Sequence, residues 1–359
     1  MPNPTEIATL VVGGERFELW ETVEVERLWG APISHFRFTA SEPGPTLKGW
    51  QALKLMPSVP AQVFLAENLA LTGLIQIRQA AYDANSHSVE IIVASYTQEL
   101  PASSVDTAPG QYLRNSLEQI ANAVCSKVGV AVKFQSGIPG ADKIFSRVSE
   151  HVGETRLTFL QRLAQMRNMH LCDDSSGALV FGRGAADGPG AVLVEGHNIL
   201  KGRILLDQQW TVKSITALLQ NHGTDDDWPT NDISATVPNP AYTGTSPRPL
   251  KLLGPHPGDQ VDALMVAQYE KSLNDLTTCE ALITVQGWLM DDGSLWSEHL
   301  REKITIKSPM LVPVDTFSLL LRGVKHMQSD ANGTTTELNL CIPNGLGDDR
   351  QITSVLGLV

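Results

Sequence analysis

From Ala8 to about Leu100, apolar residues recur at every second position in short runs broken by turn residues, the pattern of antiparallel strands. ATLVVGGERFELW carries Gly13-Gly14, a pair free to take the positive φ values of a tight hairpin. SHFRFTAS puts Phe36 and Phe38 on one side and His35, Arg37 and Thr39 on the other. AQVFLA, LALTGLIQIRQAAY and HSVEIIVASY follow, divided by Glu67-Asn68 and by Asp83-Ala84-Asn85-Ser86. Strands at this density with no helix between them predict a small antiparallel barrel or sandwich, and closure would remove exposed edges.

The period then changes. QYLRNSLEQIANAVCSKVGV places Leu113, Leu117, Ile120, Ala121 and Val124 at helical spacing, with Gly129 as the stop. VGETRLTFLQRLAQMRNMHL repeats the pattern with Leu157, Leu160, Leu163, Ala164 and Met166 or Met169, and LCDDSSGALVFGR reads as strand, turn, strand. GRGAADGPG, residues 182–190, is a boundary. NILKGRILLDQQWTVKSITALLQNHG then resumes strand chemistry. The Pro-, Asp-, Gly- and Thr-rich stretch beyond it predicts irregular chain. One helix is predicted in DQVDALMVAQYEKSLNDL, its apolar stripe formed by Val261, Leu264, Met265, Gln268 and Leu273. CEALITVQGWLM, KITIKSPML, TFSLLLRGVKHMQS and TTTELNLCIP are again strands, the last two joined by Asp330-Ala331-Asn332-Gly333. They find partners when the strands near residues 200–220 return beside them.

The expected fold is mainly β with α+β insertions: a first β-barrel domain over 1–100, an α+β domain over 101–188, and a second β-barrel domain from 189–222 and 277–345. An irregular and helical insertion spans 223–276, and residues 346–359 form a C-terminal tail. The two β regions are similar in size and read as a diverged duplication.

Composition bounds the function. At 359 residues with 42% apolar and 18% charged, the chain can bury several cores. Its 27 basic and 39 acidic side chains leave a net charge of -12, which opposes a broad phosphate-binding surface. Cys125, Cys172, Cys279 and Cys341 are far apart and form no zinc spacing, so they read as buried free thiols. No basic segment followed by a long apolar run opens the chain, and no apolar run is long enough for a membrane helix, so no membrane segment is expected.

Candidate chemistry is sparse. GWLMDDGSLW sets Asp291-Asp292 between Trp288 and Trp296, which could mark a sugar site, a metal site or a hairpin tip. Asp-Gly is a strong turn signal, and adjacent carboxylates on a turn diverge rather than straddle a glycosidic bond, so a turn with packing tryptophans is expected. Asp225, Asp226 and Asp227 before Trp228 lack EF-hand spacing and read as a solvated loop. Asp173-Asp174 reads as a turn. Gly182-Arg183-Gly184 fails the dinucleotide fingerprint, with Asp187 where a third glycine belongs. Glu154 stands at a helix start without a second acid, where the helix dipole accounts for it better than catalysis. No catalytic, cofactor or metal constellation is assigned.

The order of features resembles the baseplate hub proteins of Mu-like contractile-tailed phages. TLVVGGERFELWETVEVERLWGAPISHFRFTASE is similar to the family's opening hairpin and strands, and LALTGLIQIRQAAYDANSHSVEIIVAS to the strands that follow. VGETRLTFLQRLAQMRNMHLCDDSSGALVFGR resembles its G-E-T helix and hairpin, and QGWLMDDGSLWSEHLREKITIKSPML its second barrel, with Ser297-Glu298 as a departure. The resemblance implies a non-catalytic homotrimeric ring of six barrels, similar to the hub half of type VI secretion spike proteins. It also implies a tail tube protein, a central spike protein and other baseplate components as partners. DNA would pass through a central channel without specific binding, and the place would be the virion's tail baseplate, after synthesis in the bacterial cytoplasm. A tail-associated peptidoglycan hydrolase and a carbohydrate-binding β module are the alternatives.

Overall fold

The computed structural model describes residues 6–18, 20–42, 55–83, 87–105, 111–221, 228, 230, 232–314 and 316–347. The chain is mainly β, with three α-helices among the described residues. The first region contains β1 (Ala8–Val12), β2 (Glu15–Phe17), β3 (Thr22–Leu28), β4 (His35–Glu42), β5 (Pro60–Leu65), β6 (Asn68–Tyr82) and β7 (His87–Ser95). Gly13 and Gly14, at φ +58° and +85°, make the β1–β2 turn as the sequence predicts. Phe36 and Phe38 are fully buried.

A smaller α+β region follows, with β8 (Gln111–Asn115), α1 (Leu117–Ser126), β9 (Val132–Phe134), β10 (Phe145–Ser149), α2 (Arg156–Gln165), β11 (His170–Asp173) and β12 (Leu179–Gly182). The first helix starts later than the periodicity predicts. Ser116 caps it, accepting from the Gln119 NH while the Gln119 side chain accepts from the Ser116 NH, and Leu113 lies exposed on β8 instead.

The remaining strands are β13 (Ala191–Val194), β14 (Lys201–Leu206), β15 (Ser214–Leu219), β16 (Ile233–Pro238), β17 (Pro249–Leu253), β18 (Cys279–Gln286), β19 (Lys303–Lys307), β20 (Phe317–Ser329) and β21 (Gly333–Cys341), with α3 (Gln260–Leu276) before β18. Two expectations are corrected here. The Pro-rich stretch is not wholly irregular, since β16 and β17 flank β15 in a separate three-stranded sheet. Only β14 of the 200–220 segment returns to the late strands, pairing with β18. The α3 stripe is also displaced. Val261, Leu264 and Leu273 are exposed, and the buried face holds Ala263, Val266 and Ala267 with Asp262 and Asp275. The carboxylates can face inward because Arg167 and Lys143 donate to Asp262 at 2.9 and 2.7 Å, and Lys271 to Asp275 at 2.7 Å.

Ile215, Ala217, Leu219, Ala263 and Val266 share one apolar core with α1, α2 and the strands of the smaller α+β region. The two β regions keep separate cores.

Thirteen strands join in one sheet, whose path runs β14-β18-β21-β20-β3-β4-β7-β6-β5-β1-β2, with β19 branching from β20 and β13 from β19. It does not close into a barrel among the described residues. Its internal order is nevertheless repeated. The first region reads β1-β5-β6-β7-β4-β3 and the second β13-β19-β20-β21-β18-β14. With the hairpin strand β2 and the separate β15–β17 sheet left out of the count, the first strand of each unit pairs the fourth, followed by the fifth, sixth, third and second. Five strands of each unit are antiparallel in the same sequence, and only the leading strand differs, antiparallel in β1–β5 and parallel in β13–β19. Each long fifth strand carries a bulge at the corresponding place, between Ile75 and Ile77 and between Leu321 and Gly323. The size similarity in the sequence thus has a topological counterpart, a common strand order without matching residues.

Candidate functional site

The side chains singled out in the sequence hold units together. In residues 287–302, Asp292 closes a turn: its Oδ1 accepts from the Ser294 NH at 2.9 Å and from the Ser294 hydroxyl, while Gly293 sits at φ +85°. Those Ser294 bonds hold the exposed Asp292 carboxyl below its ordinary range. Trp288 and Trp296 then diverge. Trp288 is fully buried in the core of the first β region, and Trp296 packs in the core of the second. The Trp288 NH donates to Glu6 at 2.9 Å and its indole NH to the Met327 carbonyl at 3.2 Å. Neither ring is open to a sugar, and the loop pins one β region to the other.

The same loop holds a line of groups that sequence spacing did not reveal. Ser294 Oγ lies 2.6 Å from His299 Nε2, and His299 Nδ1 2.9 Å from Glu302 Oε1. The order is that of a hydrolase triad, but a triad serine needs free backbone NH groups beside it to stabilise an oxyanion. Here the NH and hydroxyl of Ser294 both engage Asp292, and Glu302 also accepts from the Gly190 NH at 3.2 Å. The line fastens the loop to the segment before β13.

Glu154 is likewise structural. Arg162 forks onto it at 2.8 and 2.9 Å, the His151 NH donates to it at 3.0 Å, and Arg162 also reaches the Ser149 carbonyl. Burial pushes the carboxyl up, but the Arg162 and His151 bonds outweigh it and hold the pKa below its ordinary value. A general acid needs the opposite shift. The helix-dipole explanation is therefore replaced by an ion pair, and Thr155 supplies the cap of α2.

Asp174 forms the predicted turn, accepting from the Ser176 and Ala178 NH groups at 2.9 and 3.1 Å, and pairs with Lys133. Asp173 does something else. It is buried and accepts from the Ser34 NH at 3.0 Å and the Ser34 hydroxyl at 2.6 Å, with Arg27 3.8 Å away. This joins the α+β region to the first β region. At the GRG stretch, a Cβ on Gly182 would meet Gln135 at 2.6 Å, so glycine serves close packing. Gly184 lies at φ +72° and donates to the Leu346 carbonyl.

His170 and His326 are buried, and desolvation pushes them down to about 4 and about 3, which keeps both neutral in the core. All four cysteines are buried and free. Among the described residues no group of three His, Cys, Asp or Glu side chains is placed to hold a metal ion, and no helix is long and apolar enough to cross a membrane. Asp225–Asp227 lie outside the described residues.

The architecture has known counterparts. Residues 97–183 match the model of the baseplate hub protein gp44-like second domain. The chain is 26% identical over 345 residues to baseplate hub protein gp44 of Escherichia phage Mu, covering 94% of this chain and 88% of that protein. Over most of its length the chain is similar to the baseplate hub protein of phage Mu. Its fold is shared with the 43 kDa tail protein of prophage MuSo2 from Shewanella oneidensis at a TM-score of 0.81, with 21% identity over 95% of this chain and 99% of that one. It is also shared with the E. coli c3393 protein, a component of the type VI secretion system, at a TM-score of 0.56, with 13% identity over 93% and 76% of the two chains. The smaller α+β region, in which the GETRLTF segment leads into α2, falls within the matched family domain.

Proposed function

We propose that this protein is the structural baseplate hub of a contractile phage tail or a related prophage particle. It acts as a homotrimer that joins a sixfold tail tube to a threefold spike. Three copies of a chain with two comparable β units present six related surfaces around one axis, which is what a threefold-to-sixfold adapter needs. The observation that carries this reading is the strand order repeated in the two β regions. Likeness to the Mu hub protein over most of both chains supports the same role. In this reading each β region curves into a barrel of the ring, and DNA passes through the central channel unread, since the net charge of -12 disfavours phosphate binding. The protein is made in the host cytoplasm and resides in the tail baseplate, where tube, spike and other baseplate proteins are its partners. It performs no catalysis.

Light scattering over a dilution series tests the ring. A stable mass three times the 38.9 kDa of one chain is expected. A monomer at every concentration, unchanged when recombinant tube and spike proteins are added, would overturn the reading.

A further inference from the structure

The line of groups from Asp292 to Glu302 can be counted proton by proton. Asp292 Oδ1 accepts from the Ser294 NH at 2.9 Å and from the Ser294 hydroxyl, so the single hydroxyl proton of Ser294 is taken by Asp292. Toward His299 Nε2, 2.6 Å away, the Ser294 oxygen has lone pairs alone, and Nε2 must donate. On the other side of the ring, Nδ1 lies 2.9 Å from Glu302 Oε1, and an ionised carboxylate can do nothing but accept. Both ring nitrogens therefore donate. An imidazolium does this, and a neutral imidazole with one NH cannot. Shifting the Nδ1 proton onto Glu302 leaves the count unchanged: the closed line holds one proton more than a neutral histidine beside an ionised glutamate.

The surrounding charges favour that proton. Asp292 faces the ring from the turn, and Glu302 faces it from the segment leading into β19. The side chains of His299 and Glu302 are 12% and 10% exposed. Among the described residues, no lysine or arginine lies in ion-pair reach of either carboxylate, so His299 is the cation that Glu302 meets. Arg301, next to Glu302 in sequence, is turned away to Gln135 and Trp29. A carboxylate this far out of water costs free energy unless a cation or hydrogen bonds compensate it. Its seat is closely fitted as well. Oε2 accepts from the Gly190 NH at 3.2 Å, and a side chain at Gly188 would collide with the carboxylate. The Glu302 backbone is held on both sides, its NH by the His299 carbonyl and its carbonyl by the Leu321 NH of β20.

We propose that residues 292–302 form a proton-operated latch between the two β regions: protonated His299 bridges Ser294 and Glu302 and closes the loop, and loss of that proton releases it. The closed loop runs from Trp288 in the core of the first region to Trp296 in the core of the second, so the proton governs how firmly the two are pinned. A neutral ring must turn a lone pair toward a lone pair on Ser294 or on Glu302 and forfeits one of the two bonds. The closed line binds more protons than the open loop, so acid favours closure and rising pH weakens it. The latch does not depend on the hub reading.

Amide hydrogen exchange of residues 287–302, corrected for the intrinsic pH dependence of exchange, tests it from about pH 5 to about pH 8, the span in which imidazole groups change charge. The NH groups of Ser294, His299 and Glu302 are all hydrogen-bonded in the closed loop and report its opening. In the parent chain their protection should fall about ten-fold across that span, the factor that loss of one charge-assisted hydrogen bond predicts. Glu302→Gln supplies the contrast. Its amide nitrogen can donate to a neutral ring while its oxygen accepts from the Gly190 NH, so the line closes without the additional proton and protection should not vary with pH. If circular dichroism shows that this variant does not fold, His299→Gln takes its place, with protection below the parent's in acid and again independent of pH. Constant protection in the parent chain, or an equal fall in parent and variant, would overturn the latch. Protection that rises with pH in the parent would contradict the proton count and overturn it too.

Discussion

Arg301 lies over the indole of Trp29, its guanidinium carbon 4.3 Å from the ring centroid, although 272 positions separate them in the chain. Its Nη1 donates to Gln135 Oε1 at 2.7 Å and to the carbonyls of Gly184 and Arg183 at 3.2 and 3.3 Å. One planar side chain thus bonds the end of the α+β region and stacks on the first β region while rooted in the second. Lysine keeps the charge but neither stacks flat nor bonds in a fork. Arg301→Lys should cost about 1–3 kcal/mol in urea unfolding, the range for leaving buried acceptors unpaired. A stability unchanged from the parent chain would show that the stack is incidental.

The half-buried pair of Glu154 and Arg162 gives a pH-dependent prediction. The folded carboxyl titrates below its ordinary value of 4.5, so its contribution is complete above that value and is lost as pH falls through the folded pKa. Glu154→Gln should lower stability at about pH 7 by roughly 1–3 kcal/mol through the weakened hydrogen bonds. The gap between variant and parent should narrow in acid, where the parent loses the same charge. Melting temperatures across a pH series check this, and a gap that widens in acid would reverse the sign of the argument. Cell-wall cleavage should be absent from both proteins.

Gly73, in the Thr72-Gly73 pair of the β6 strand, answers to a close approach of backbones. A Cβ there would stand 1.8 Å from the Ala94 carbonyl oxygen and 2.7 Å from its carbon. Neither atom can swing aside as a side chain could. Gly73→Ala should therefore destabilise by about 3 kcal/mol or more, at the upper end of overpacking costs. The measurement is soluble yield and urea midpoint beside Gly14→Ala, whose Cβ would meet nothing within 4 Å and whose cost is only the roughly 1–2 kcal/mol of a positive φ. Equal losses in the two variants would mean that crowding at Gly73 relaxes.

Alternation made most strands legible: Phe36 and Phe38 face inward and the Gly13-Gly14 turn closes as read, because both are local consequences of pleat and φ. The α3 face was not legible. Its inward side holds Asp262 and Asp275, and their partners Arg167 and Lys143 for the first come from another part of the chain. A hydrophobicity stripe counts such carboxylates as solvent-facing. β16 and β17 were hidden for a related reason, since their strand pairing to β15 joins segments that composition marks as turn-rich. Asp173 and Arg301 illustrate the same limit at the candidate site: nothing local to either residue names Ser34 or Trp29 as its neighbour. The junctions between units are long-range contacts, and a single sequence carries no signal for them beyond composition.

Trp288 provides the sharpest separation of a scaffold from a sugar-binding module. The ring is fully buried and belongs to the first β core, yet its backbone follows β18 of the second region. Replacing it leaves a void in the core it shares with Leu71 and Leu295 and strips the Met327 carbonyl of its indole donor. Trp288→Ala should cost about 3–5 kcal/mol, as large aromatic truncations do. Because the lost contact joins the two β regions, the variant should also become more sensitive to proteolysis between them. Trp210→Ala, at an indole 72% exposed, should leave the monomer's stability within about 0.5 kcal/mol of the parent. Chemical unfolding and limited proteolysis of the two variants decide the matter. A folded, protease-resistant Trp288→Ala that has lost glycan binding would make the indole a ligand platform and defeat the scaffold argument.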